Sequence, residues 1–136
     1  MSGTWGFKPL FLKEFQNFPT DQQDAIYDFT DLVEVGALDN FGLFPGKISK
    51  SWSGLLPADP AYQFAFGNNL WHYHVGIPTY RQVHPKFKTS DWVLHFQWDG
   101  RNSGGRHVIL VDCYQHYKAD GSFYMPSANY LVDSQP

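Results

Sequence analysis

"DWVLHFQWDGRNSGGRHVILVDCYQH", residues 91–116, is the stretch that decides how this chain folds. Two runs with a period of two, "DWVLHFQW" and "HVILVDCYQH", flank a glycine-rich connection, which is the pattern of a β-hairpin. Side chains alternate across an extended chain, so Trp92, Leu94, Phe96 and Trp98 share one face and His95 projects from the other with Val93 and Gln97. In the second run His116 shares a face with Asp112 and Tyr114.

Outward from this hairpin, "LWHYHVG" at 70–76 places Leu70, His72 and His74 on one side and Trp71, Tyr73 and Val75 on the other. "YQFAF" and "LWHYHVGI" flank Gly67, Asn68 and Asn69, so a second hairpin is expected there. The tail carries turn chemistry at Asp120 and Gly121. Before residue 45 the period is helical. Phe11, Phe15 and Phe18 follow one another at four and three residues, and Pro19 interrupts them. Thr20 and Gln23 form a capping-box pattern ahead of the stripe Ala25, Ile26, Phe29, Leu32 and Val33, and Gly36 is a natural stop. So short a link predicts an antiparallel helix pair. The order is a short strand, two helices and then an antiparallel sheet: an α+β layout over residues 1–136 as one domain.

With 43% hydrophobic and 18% aromatic residues in 136, the chain has the apolar mass for a core. No apolar run reaches the roughly 18 to 20 residues of a membrane span, and "MSGTWGFKPLF" lacks the layout of a secretory signal, so a cytoplasmic protein is expected. Cys113 is the only cysteine, which excludes an internal disulfide or a thiolate zinc cluster. The formal charge of −3 gives no bulk positive field. It is unevenly spread: residues 20–39 hold six acids and no Lys or Arg, while "YRQVHPKFK" at 80–88 holds Arg81, Lys86 and Lys88 with no acid.

Three strands thus deliver His72, His74, His95 and His116, and a cluster of imidazoles can supply both a general base and a general acid. Two histidines on one strand face, completed by a carboxylate, would alternatively make a metal triad. No Asp or Glu lies between His74 and Asp91, so Asp112 is the candidate third ligand. "PGKIS" at 45–49 fails the phosphate-loop pattern, because Ile48 stands at the Ser/Thr position, and reads as a turn. In the basic stretch Tyr80 and Phe87 are interleaved among Arg81, Lys86 and Lys88, as holding a phosphodiester with stacked bases would require.

On these segments the chain resembles the RelE/ParE toxin superfamily of toxin-antitoxin systems. The carriers are "FKPLFLKEFQNFPTDQQDAIYDFTDLVEVGAL", "GKISKSWSGL", the His-x-His strand followed by Pro78, "KFKTSDWVLHF" and "ILVDCYQHYKADGSFYM". Within the superfamily the chain is most similar to YafO-like ribosome-dependent mRNA interferases. The resemblance implies a RelE-like fold, in which an N-terminal strand and helical hairpin pack on a curved antiparallel sheet. It implies cleavage of mRNA by 2′-OH attack, without metal or other cofactor. Its partners would be a cognate antitoxin, mRNA and the ribosome. His72, His74, His95, His116, Tyr117 and Tyr124 would then be the catalytic candidates, and Tyr80, Arg81, Lys86 and Lys88 the RNA-binding ones. Two rivals remain: a ParE-like topoisomerase inhibitor with structural histidines, and a small metal enzyme built on His72 and His74. The chain departs from the superfamily in its acidic balance and in lacking a compact Arg-rich strand.

Overall fold

The computed structural model describes residues 3–84, 87–99, 105–117 and 120–132. Strand β1 (Thr4–Phe7) leads into helices α1 (Pro9–Phe15) and α2 (Thr20–Glu34). There follow β2 (Ile48–Lys50), α3 (Pro60–Gly67), β3 (Leu70–His74), β4 (Arg81–His84), β5 (Phe87–Thr89), β6 (Trp92–Gln97) and β7 (His107–Gln115). Five strands form one sheet in the order β1-β7-β6-β3-β2, and β4 and β5 form a separate hairpin. The fold is mixed α+β and its sheet does not close on itself.

The sequence leads one to expect a purely antiparallel sheet; the sheet is mixed instead, because β1 runs parallel to β7, from Thr4 opposite His107 to Phe7 opposite Leu110. A parallel pair needs a long crossover, and the chain between these two strands supplies it. The hairpin that opened the sequence reading is present as β6 and β7, with His95 opposite Asp112. Phe96 then pairs with Leu110, so Val111 is the extra residue of a β-bulge.

The two faces of the sheet differ in chemistry. Under α1 and α2, Phe29 is fully buried and its ring lies 5.6 Å from Phe44 and 5.0 Å from both Tyr73 and Phe96. The opposite face carries Leu70, His72, His74 and His95. There Ala65 of α3 packs with Leu70 and Val111, and Met125, Tyr130 and Leu131 close over them.

Several local expectations change. "YQFAF" belongs to helix α3, not to a strand: Asp59 Oδ1 accepts the Ala61 N–H at 2.9 Å and Pro60 fills the first turn. A five-residue aromatic run has too little length for a period, so the cap decides. Asn69, with φ of +52°, then turns the chain into β3. Thr20 does not cap α2. The cap is Pro19, and Gln23 Nε2 donates to the Phe15 carbonyl at 2.8 Å, tying the two helices together. Gly36 ends α2 in the left-handed region at φ of +87°. The turn at Asp120 and Gly121 is present, with Asp120 Oδ1 accepting the Ser122 N–H at 2.9 Å.

Candidate active site

Alternation along β3 points His72 and His74 to one side, where each is 6% exposed. His95 lies directly across from His72 on β6. His116 follows the end of β7, where the backbone is pinned on both sides: its N–H donates to the Asp91 carbonyl at 2.7 Å, and its carbonyl accepts the Tyr124 N–H at 2.8 Å. The ring centroids of His72 and His74 are 5.8 Å apart, those of His72 and His116 5.3 Å, and those of His74 and His116 5.1 Å. One nitrogen from each of these three rings lies within 4.8 Å of the others. Four residues dispersed over 45 positions of sequence thus become one group.

Two of the rings are oriented from behind. Ser51 Oγ lies 3.0 Å from His72 Nδ1. His74 Nδ1 lies 2.8 Å from the Ser90 carbonyl oxygen and 3.0 Å from the Ser90 amide nitrogen. Either tautomer of His74 therefore keeps a partner, and Nε2 is the nitrogen left over. His116 Nδ1 and both nitrogens of His95 are buried with no hydrogen-bond partner among the described residues.

Burial is the first cause of the electrostatics. It lowers His95 to about 3 and His116 to about 4, and it lowers His72 and His74 as well. Repulsion from neighbouring imidazoles pushes His72 and His116 in the same direction. At neutral pH the group is uncharged, which suits proton acceptance and metal ligation alike. Asp112 moves the other way: burial raises its carboxyl to about 6, against hydrogen bonds from the Tyr124 hydroxyl and the Cys113 N–H. Asp112 is not among the donors grouped with His72 and His74: its carboxylate accepts from the Tyr124 hydroxyl and the Cys113 N–H, and His116 stands in the third place instead.

The group is reached from solvent through a cleft of about 710 Å³ lined by Lys47, His74, Ser90, Trp92, His116 and Tyr117. A second cleft of about 290 Å³ is lined by His72 and His116, again with Lys47 and Tyr117. Tyr117 is exposed, with its ring 4.3 Å from that of His116. Tyr124 lies deeper, bonded to Asp112, and burial raises its hydroxyl pKa. His95 sits behind His72 at 0% exposure.

Among the RNA-binding candidates, Lys88 is exposed on β5, and its carbonyl accepts the Lys47 N–H at 2.9 Å, which sets the β4–β5 hairpin beside the cleft. Tyr80 is half-buried, its hydroxyl 2.9 Å from that of Tyr73. Lys86 lies outside the described residues, as does the side chain of Arg81. Sequence reasoning missed Lys47, Ser51 and Ser90. Lys47 stands in the stretch set aside for failing the phosphate-loop pattern, and the hydrogen bond from His74 N–H to its carbonyl, at 3.0 Å, brings it to the histidines. No protein-family model matches the chain, and no curated protein or solved structure is significantly similar to it.

Proposed function

We propose that the protein is an endoribonuclease, the toxin of a type II toxin-antitoxin pair, that cleaves mRNA at the ribosome by attack of a ribose 2′-OH on the adjacent phosphate. The observation that carries this reading is the meeting of His72, His74 and His116 nitrogens within 4.8 Å of one another beside an open cleft. Its second support is the resemblance to YafO-like interferases, which runs through the same segments. The antitoxin and ribosome rest on that resemblance alone. Among the described residues no helix is long and apolar enough to cross a membrane.

The chemistry needs a base, an acid and a cation. His74 suits the base: with Nδ1–H donating to the Ser90 carbonyl, Nε2 holds a lone pair, and the same hydrogen bond favours the imidazolium once Nε2 is protonated. The O2′–P bond forms as the 2′ proton passes to that nitrogen. A phosphate anion entering beside His116 raises its pKa, so the ring takes up a proton from solvent as the RNA binds; the P–O5′ bond then breaks and the leaving oxygen takes that proton from His116. Lys47 lies where it can neutralise the charge that builds on the phosphate. Tyr117, exposed at the mouth, offers a ring for a base to stack on. The products are a 2′,3′-cyclic phosphate and a 5′-OH.

The test is cleavage of an RNA oligonucleotide, free and on programmed ribosomes, by protein purified and assayed in chelator, with end-group analysis of the products. Cyclic phosphate ends, and no cleavage of a strand with a 2′-deoxy residue at the scissile position, are expected. Intact RNA together with topoisomerase-linked DNA breaks in expressing cells would instead establish the ParE-like rival.

A further inference from the structure

We propose that His72, His74 and His116 also form a binding site for a divalent transition metal of the Zn²⁺ class, and that the ion competes with RNA chemistry for the same nitrogens. Three imidazoles plus one open position is a donor set that zinc accepts. The three nitrogens already lie within 4.8 Å of one another, with no carboxylate among them. Tetrahedral Zn–N bonds of about 2.0 to 2.1 Å put ligand nitrogens about 3.3 Å apart. Closing the widest separation therefore takes about 1.5 Å, within reach of a tilt of the His116 ring.

A chance cluster of surface histidines would lack what stands behind these rings. Ser51 Oγ holds His72 Nδ1 at 3.0 Å and the Ser90 carbonyl holds His74 Nδ1 at 2.8 Å, which leaves Nε2 of each ring as the nitrogen to ligate the ion. Such outer partners are what fix tautomer and ring direction at metal-bound histidines. His116 brings a buried Nδ1 with no hydrogen-bond partner among the described residues. The cleft supplies a path for the ion and space for a fourth, exchangeable ligand. His95 is not part of this site, since it lies fully enclosed behind His72.

The site stands on this geometry alone; only its inhibitory consequence rests on the nuclease reading. The decisive experiment titrates metal-stripped protein with Co²⁺, followed by its visible absorption, and then with Zn²⁺ by calorimetry. Four-coordinate cobalt bands at one ion per chain are expected. His116→Gln should weaken binding by more than about 100-fold, and Ser51→Ala, which frees the His72 ring, by about 10-fold. His107→Ala, at the exposed far end of β7 and bonded to Thr4, should leave binding unchanged. Circular dichroism and the melting temperature without metal show that each variant folds, and Zn²⁺ should raise the melting temperature of the wild type but not of His116→Gln. Six-coordinate cobalt spectra, or binding that His116→Gln and His74→Ala leave intact, would overturn the site whatever the protein does to RNA. Stoichiometric Zn²⁺ should abolish RNA cleavage by the stripped protein, and a zinc-loaded protein that cleaves undiminished would overturn the competition. Stripped protein that never cleaves RNA refutes the nuclease reading instead, with the cobalt result standing independently.

Discussion

Replacing His95 with leucine probes a fully enclosed imidazole. His95 is 0% exposed, and neither ring nitrogen has a hydrogen-bond partner among the described residues. A buried polar group left unpaired costs about 1 to 3 kcal/mol, so His95→Leu, of similar bulk, should gain stability in that range at pH 7.5. The pH dependence sharpens the test. Burial holds His95 at about 3 in the folded protein, against roughly 6.5 in the unfolded chain. Between those values the unfolded chain binds one more proton at this site, so stability is lost by about 1.4 kcal/mol for each unit that the pH drops. From 6.5 down to pH 4.5 this amounts to about 3 kcal/mol, which the leucine variant does not lose. The other lowered histidines act with the same sign, and Asp112, raised to about 6, acts with the opposite one, but both proteins share them. Urea unfolding followed by tryptophan fluorescence at pH 7.5 and pH 4.5 reads the difference directly. The advantage of the variant should widen by about 3 kcal/mol on acidification; a gap that stays constant would refute the enclosed, neutral His95.

His116→Gln should retain the fold, since His116 is at the cleft wall, and lose RNA cleavage by about 100-fold or more in single-turnover assays; a fully active variant sinks the acid assignment. Lys47→Ala should weaken binding of a non-cleavable 2′-deoxy strand and lower the slope of log K against log salt by about 0.7, the signature of one lost phosphate contact. Phe29→Ala should cost about 3 to 5 kcal/mol in denaturant unfolding, because three rings pack on a side chain with no exposure.

Much of the architecture was legible because it repeats locally. The helical stripes of α1 and α2, the stop at Gly36 and the hairpin of β6 and β7 each follow from spacing and one or two punctuating residues. Local signals failed where two of them competed. At residues 60–67 an aspartate cap and a proline outweighed apparent alternation, and at α2 a proline displaced the expected threonine cap. The pairing of β1 with β7 had no local signal, since a parallel edge depends on where the chain returns after some hundred residues.

The candidate site divides in the same way. Alternation alone placed His72 and His74 side by side and turned His95 to the face opposite its tryptophans, because pleat geometry is a property of each strand taken singly. Which strands neighbour one another is not such a property. Only the order β7-β6-β3-β2 brought His116 to His74, set Ser51 and Ser90 behind two imidazoles and carried Lys47 to their rim. It also gave Asp112 to Tyr124 rather than to a metal triad, since side chains meet through pairings across the sheet and not through their separation along the chain.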